Sequence, residues 1–230
     1  MATVALNNAI SVFTSPTPAF SKFWTGLKNS CSHATKEKIV VSFHLVISAC
    51  IAAHNASKSH PLSQEDYSTI RRAAMMAIGF FGIRRNAEVI NLTKGCIRTT
   101  TNFTIIHVPS SKNDKLSLGH NAIIPKLQRF QSGCPVTAIN RWADEAELFL
   151  EDALIPYSDA SPFFFNLSGK NIGKQISVDT HRKDVSKAYK LVYASNPGKV
   201  LSLRRGGAHL FASHNHRNVS KQQGAWRSQS

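Results

Sequence analysis

Apolar side chains recur every three or four residues along much of the chain, which is the period of a helix with one buried face. This spacing and one continuous apolar run predict helices over residues 39–53, 63–81, 85–92, 136–150, 177–193 and 202–213. The helix at 63–81 has clear end signals, because Ser63 is a favoured N-cap with acids in the next turn and Gly82 is a favoured terminator. The chain is therefore predicted to be mainly helical.

A change of period predicts a small sheet between two of these helices. Residues 104–108 and 121–124 are rich in β-branched residues, which favours strands. Turn-forming residues at 109–119 separate them, and residues 96–100 supply a third strand. The predicted fold is mainly α with a small three-stranded antiparallel β-sheet (α+β), and Lys112 is expected on its exposed hairpin.

Large aromatic residues mark two segments outside this pattern. In residues 1–36, Phe20, Phe23 and Trp24 have helical spacing and are too many for a free tail. We expect these aromatics either to dock on the following domain or to be the last helix of a domain cut short upstream. The second segment, residues 161–165, is predicted to be a loop anchored by its aromatic side chains.

The charge of the chain indicates its class of partner. Among 230 residues, 28 are Lys or Arg and 13 are Asp or Glu, which gives a formal net charge of +15. Such an excess favours a polyanion, with nucleic acid ahead of a membrane surface. A hydrophobic fraction of 42% is enough for a folded core, so a disordered basic tail is excluded. A ribosomal-type or merely soluble basic protein is the alternative.

The cysteine spacing, the apolar runs and the N-terminus argue against several other classes of protein. The four cysteines, Cys31, Cys50, Cys96 and Cys134, are far apart, which argues against a structural zinc site and a disulfide scaffold. Apolar runs stop well short of the ~18 residues that a membrane span needs. The N-terminus has no signal-peptide pattern. We therefore expect an intracellular protein that is neither secreted nor inserted in a membrane.

Two arginine motifs are candidates for binding phosphate. Arg85 follows the end of the 63–81 helix, with Glu88 three residues later, and Arg204 precedes the small residues Gly206 and Gly207. Arginine suits a phosphate because its guanidinium is a rigid two-pronged donor that keeps its charge. For either arginine taken alone, an exposed side chain at a helix end is the favoured interpretation.

Five short stretches, taken in order, favour the interpretation that these arginines bind phosphate. They are residues 82–89, 109–114, 134–138, 202–208 and 224–228. In this order and spacing they resemble the catalytic domain of tyrosine recombinases, the phage-integrase family. The resemblance covers about residues 37–230 and is greatest to recombinases of eukaryotic mobile elements and their phage-like relatives. It implies DNA binding associated with site-specific DNA recombination or integration.

The resemblance also implies a role for each matched residue. Arg85 would be the first catalytic arginine, selected over its neighbour by its distance to the supporting Glu88. Lys112 would be the hairpin lysine that protonates the departing 5′ oxygen, and Arg204 would be the second arginine. Trp226 would give an indole N–H to the phosphate.

Two departures from the family pattern bear on activity. Leu201 occupies the position where the family usually has a histidine, and leucine can neither relay a proton nor donate a hydrogen bond. The tyrosines of the chain all precede Arg204, so none occupies the position of the family's nucleophile: Tyr67, Tyr157, Tyr189 and Tyr193. We therefore expect a chain that binds DNA and does not cleave it.

The resemblance extends to domains and partners. Residues 1–36 would be a remnant of an N-terminal helical DNA-clamp domain and linker, and residues 37–230 a catalytic-type domain incomplete at its C-terminus. No cofactor or metal is expected, since the family's chemistry is metal-free. The expected partner is the DNA phosphate backbone, with a possible homo-oligomer on DNA and no small-molecule substrate. The location would be the nucleus in a eukaryote and otherwise the cytoplasm or nucleoid.

Two other functions stay open from the sequence. One is a non-catalytic basic module that binds DNA or RNA without a recombinase-like site. The other is a structural or ribosome-associated basic protein, which would prefer RNA strongly over duplex DNA. The first test between them is spatial, because the recombinase interpretation requires Arg85 and Arg204 to be close enough to bind one phosphate.

Overall fold

The computed structural model describes residues 39–58, 61–109, 119–195 and 201–214, and these ranges are mainly helical. The helices are α1 (Phe43–Ala56), α2 (Gln64–Phe81), α3 (Asn86–Ile90), α4 (Pro135–Asp152), α5 (Val178–Tyr193) and α6 (Leu203–His214). The strands are β1 (Ile39–Val40), β2 (Ile97–Thr99), β3 (Phe103–Val108), β4 (His120–Pro125) and β5 (Leu201–Ser202). Short 3₁₀ turns lie at Lys94–Cys96 and Gly169–Asn171.

Helix α2 is the central element of the core. Its start is fixed by a capping box, in which the Ser63 hydroxyl accepts the Asp66 N–H at 3.2 Å and the Asp66 carboxylate accepts the Ser63 N–H at 2.8 Å. From Ile70 to Phe81 every residue is buried. Helices α1, α4, α5 and α6 all pack against it. The predicted boundaries of this helix, at Ser63 and Gly82, agree with the structure.

Two arginines are buried on α2 where an apolar stripe would not place them. Arg71 donates to the Phe165 carbonyl at 2.8 Å and pairs with Asp184 of α5 at 2.9 Å. Arg72 pairs with Glu65 two turns earlier on the same helix at 3.4 Å. Because a buried charge is costly without partners, both arginines need these contacts, and those of Arg71 also tie α2 to α5 and to the aromatic loop.

The three-stranded antiparallel sheet predicted from the sequence is confirmed. The strand order is β2-β3-β4, and Ile105 lies opposite Ile123 in the β3–β4 register. Alternate residues face the core, among them Thr104, Ile106 and Ile124, as expected for a half-buried sheet. The hairpin tip with Lys112 lies in residues 110–118, outside the described residues.

The aromatic loop predicted at residues 161–165 is anchored in the core. Phe163, Phe164 and Phe165 are all buried. The indole N–H of Trp142 on α4 donates to the Phe163 carbonyl at 2.8 Å, and the Trp142 ring lies against Phe164 and Phe165. A buried indole needs such an acceptor, so this bond fixes the loop on α4.

The start of the first predicted helix was wrong. Residues 39–40 are a strand that pairs in parallel with Leu201–Ser202, and α1 begins only at Phe43. The Ser42 hydroxyl caps α1 by accepting the Leu45 N–H at 3.2 Å. Local periodicity missed this strand because its partner is far away in the sequence. The aromatics of residues 1–36 and the segments predicted at 196–198 and 219–226 lie outside the described residues.

Within the described ranges, no helix is both long and apolar enough to cross a bilayer.

A buried histidine lies on the face of α5 that packs toward α2. His181 is 0% exposed, and neither ring nitrogen has a hydrogen-bond partner among the described residues. Burial lowers its pKa to about 4, and the charges of Arg182 and Arg71 add to this effect. The imidazole is therefore neutral in the fold at neutral pH.

We predict that His181 makes the fold sensitive to acid. An unfolded histidine binds its proton near pH 6.5, whereas the folded one does so only near pH 4. Stability from this group is complete above about pH 6.5 and is lost as the pH falls towards 4, by about 3 kcal/mol in total. Urea unfolding of the wild type and of His181→Leu, between pH 7 and pH 4.5, measures this difference. Parallel stability curves for the two proteins would contradict it.

Candidate functional site

A tight turn after α2 presents two consecutive arginines. The Ile83 N–H donates to the Phe80 carbonyl at 3.3 Å, and the Arg84 N–H donates to the Gly79 carbonyl at 3.1 Å, which is the bond pattern of a Schellman motif. Ile83 has φ 53°, a left-handed conformation that is unfavourable for a β-branched residue. The turn ends α2, so that Arg84 and Arg85 follow directly at its C-terminal end.

Arg85 is the N-cap of α3 and is oriented by Glu88. Its backbone N–H donates to one carboxylate oxygen of Glu88 at 3.0 Å, and its Nη1 donates to the other at 3.3 Å. The Arg85 side chain is 35% exposed, while that of Glu88 is 12% exposed. Glu88 therefore both satisfies the helix start and restrains the guanidinium, which keeps donors available to solvent.

Arg84 points the other way, into the protein. It is 7% exposed, and its Nη1 hydrogen-bonds Nε2 of His120 at the start of β4. In the β3–β4 ladder, His120 lies opposite Val108. The hairpin segment 109–119 begins and ends at this pair. The base of the hairpin therefore touches the arginine turn, although Lys112 itself lies outside the described residues.

Two glycines bring α6 onto the end of α2. A Cβ atom at Gly207 would overlap the carbonyl oxygen of Phe80, and one at Gly206 would overlap the carbonyl oxygen of Val41. Only glycine fits such an approach of backbone to backbone. On the same interface, Leu203 packs against Gly79 of α2. The first turns of α6, including Arg204, are thereby fixed beside the last turn of α2.

Electrostatics places Arg204 near the arginine turn. Burial lowers the pKa of Arg84, the charge of Glu88 raises it, and the charge of Arg204 lowers it again. Arg204 is half-buried at the start of α6. Two motifs that are far apart in the sequence thus meet in space, and like-charged guanidinium groups share one neighbourhood with Glu88. An anion bound there would offset their repulsion.

The structure describes little of Trp226 and Leu201, the two other site positions that the sequence singled out. Trp226 lies outside the described residues, and Leu201 is described only by its backbone, in β5.

Three of the four tyrosine hydroxyls are either hydrogen-bonded or hard to ionise. The Tyr193 hydroxyl is hydrogen-bonded to Ser42 at 2.8 Å. Burial raises the pKa of Tyr157, whose hydroxyl has no hydrogen-bond partner among the described residues, and burial also raises the pKa of Tyr67. A phenol must lose its proton to attack a phosphorus atom, so these environments oppose a role as nucleophile.

Comparison with known proteins identifies the fold. No known protein-family profile matches the chain. An integrase/recombinase XerD homolog from Selenomonas ruminantium is 29% identical over 85 residues, which are 37% of this chain and 25% of that protein. The structure is similar to the XerH site-specific recombinase bound to its difH substrate in a pre-cleavage complex, with a TM-score of 0.51 and 16% identity. The described residues therefore have a tyrosine-recombinase-like fold.

The similarity is partial in extent. The chain spans about a quarter of the XerD homolog, and the structural match covers 80% of this chain and 45% of the XerH chain. The tyrosine-recombinase-like fold predicted from the sequence is confirmed. The catalytic assignments of Arg85, Lys112, Arg204 and Trp226 stay predictions.

The contact between Arg84 and His120 was not predicted from the sequence. The spacing to Glu88 in the family motif selects Arg85 and gives Arg84 no predicted role, and His120 lies just before the predicted strand. The only available signal was a charged residue next to an apolar helix end. Its partner, 36 residues away, could not be found without the fold.

We predict that the glycine contact holds the tyrosine-recombinase-like domain together at this site. Gly207→Ala should destabilise the fold by about 1–3 kcal/mol, because the new methyl group meets the rigid Phe80 carbonyl. Gly79→Ala is the matched control across the same interface. Its Cβ would lie 2.8 Å from the flexible end of Leu203, so a smaller loss is expected. Thermal and urea unfolding measure both variants, and equal losses would contradict the prediction.

Proposed function

We propose that this chain binds the phosphate backbone of duplex DNA through Arg85 and Arg204, in a process of DNA recombination or integration. The observation that carries the proposal is the close packing of α6 on the end of α2, which brings the two arginine motifs together. Lys112 on the hairpin and Trp226 are proposed to add an ammonium and an indole N–H to the same phosphate.

The chemistry of the arginine cluster, formed by Arg84, Arg85 and Arg204, supports an anionic ligand. Arginines remain protonated in a partly buried site, and their planar forks match the oxygens of a phosphate. Glu88 contacts Arg85 without cancelling the combined charge of Arg84, Arg85 and Arg204. The net charge of +15 adds long-range attraction to a polyanion.

The choice of DNA over other polyanions rests on the relatives. The XerD homolog is named an integrase/recombinase, and the XerH recombinase was captured on its difH substrate. Because this chain covers only part of each, the activity and the partner are proposed for it by analogy. Assembly into a homo-oligomer on DNA is part of the same proposal.

The proposed phosphate contacts predict a specific salt dependence. Each phosphate contact on duplex DNA contributes about 0.9 to the slope of log affinity against log salt. Arg85→Met and Arg204→Met should each weaken binding and reduce the magnitude of this slope, and the double variant should reduce it by about 0.9, because both arginines are proposed to contact one phosphate. Fluorescence anisotropy with a labelled duplex, over a range of salt concentrations, measures both quantities.

A matched control is Arg182→Met, which removes an exposed arginine of α5. If it lowers the slope as much as the two site variants do, the chain is a generic basic surface rather than one with a specific phosphate site. A strong preference for RNA over the same duplex in competition would instead favour the RNA-binding alternative.

We further propose that the chain binds DNA without forming a covalent bond to it. The support comes from three of its four tyrosines, since burial raises the pKa of Tyr157 and of Tyr67 and the Tyr193 hydroxyl is hydrogen-bonded to Ser42. Positioned arginines stabilise a transferring phosphoryl group, but they do not replace a nucleophile.

This proposal predicts a negative result in a trapping assay. A nicked duplex that prevents religation should yield no protein–DNA adduct on a denaturing gel, even at protein concentrations that saturate binding. Recovery of an adduct, with the peptide mapped by mass spectrometry to any of the four tyrosines, would contradict it.

A further inference from the structure

Arg84 is a buried arginine with an unusual partner. It is 7% exposed, and its Nε atom has no hydrogen-bond partner among the described residues. Its Nη1 contacts Nε2 of His120 rather than a carboxylate. By contrast, the buried Arg71 has both Asp184 and a backbone carbonyl. A charge buried at such cost, with an imidazole as acceptor, calls for a role other than core stability.

The hydrogen bond from Arg84 determines which ring nitrogen of His120 carries the proton. Arginine is always a donor, so the Nε2 atom of His120 must carry a lone pair and accept. The proton of the neutral imidazole is then on Nδ1. The bond joins two segments: the turn that carries Arg85, and the first residue of β4, where the hairpin 109–119 returns to the sheet.

We infer that Arg84 is a positioning residue for the phosphate site, an inference that rests on the function proposed above. Arg84 ties the arginine turn to the edge of the sheet, while Arg85 keeps its own donors outside with Glu88. Arg85 can meet a phosphate reproducibly only if the turn that carries it holds one position relative to the sheet, and the bond from Arg84 to His120 fixes that position. Fixing the turn before DNA arrives reduces the ordering cost of binding.

The nearby charge of Arg204 gives this arrangement a second consequence. Arg204 lowers the pKa of Arg84, so the two guanidinium groups repel each other when no ligand is bound. The hydrogen bond to His120 and the attraction of the Glu88 charge, which raises the pKa of Arg84, oppose this repulsion. A phosphate oxygen near Arg204 would relieve the repulsion, so DNA binding and the Arg84–His120 bond should strengthen each other.

The inference is tested by a double-mutant cycle in DNA affinity. His120→Leu removes the acceptor without changing any charge, and Arg84→Met removes the donor. Each should weaken duplex binding by about tenfold, which is typical of losing a hydrogen bond to a charged group. The double variant should bind no worse than either single variant, because both remove the same contact. His120→Gln, which keeps an acceptor at a similar reach, should restore most of the affinity.

Two controls separate positioning from stability. Arg71→Met removes a different buried arginine, one that lies on α2, and should lower the unfolding temperature with no change in the DNA affinity of the folded protein. Histidine ¹⁵N spectra should show the Nδ1–H tautomer of His120 in the wild type. The Nε2–H tautomer, or additive losses in the cycle, would overturn the inference.

The outcomes also distinguish this inference from the proposed function. If the Arg85 and Arg204 variants lower the salt slope while the His120 variants leave affinity unchanged, the function stands and the positioning role fails. If Arg84→Met lowers the slope by a full contact independently of His120, Arg84 is a direct phosphate ligand, which also overturns the inference. Should Arg84→Met fail to fold, the comparison of His120→Leu with His120→Gln decides the question alone.

Discussion

The close approach of α6 to the last turn of α2 is the contact on which the rest of the site depends. It is possible only because Gly206 and Gly207 lack side chains where the carbonyls of Val41 and Phe80 lie. The approach brings Arg204 within electrostatic reach of Arg84, although 120 residues separate them in the sequence. Without this contact the chain would carry two unrelated basic motifs on separate helix ends.

The partly buried environment of the site strengthens the interactions that its charged groups make. Helix α2 is buried from Ile70 onward, so the turn at its end lies between a dry core and solvent. In such a setting hydrogen bonds and charge interactions are stronger than in water, and unpaired charges cost more. Each of the two consecutive arginines therefore has a partner, and their side chains point in different directions. Arg85 lies with Glu88 near solvent, and Arg84 reaches inward to His120. The left-handed Ile83 ends α2 immediately before these two arginines.

Local elements of this fold could be predicted from the sequence wherever neighbours along the chain decide the structure. The capping box at Ser63, the helix end at Gly82 and the alternation of β3 are of this kind, since each depends on residues a few positions apart. The predicted start of α1 was wrong because residues 39–40 pair with β5. The burial of Arg71 and His181 could not be predicted either, because the residues that surround them come from elements that are distant in the sequence.

For the candidate site, the sequence by itself determined the types of residue: arginines at two helix ends, an acid three residues after one of them, and two glycines after the other. These motifs sufficed to indicate the tyrosine-recombinase-like fold. Only the tertiary structure decided that Arg204 lies beside the arginine turn and that Arg84 binds His120. The physical reason is that local signals act over one or two helical turns, whereas the site is formed by backbone-to-backbone packing between segments whose separation in sequence carries no information about their contact.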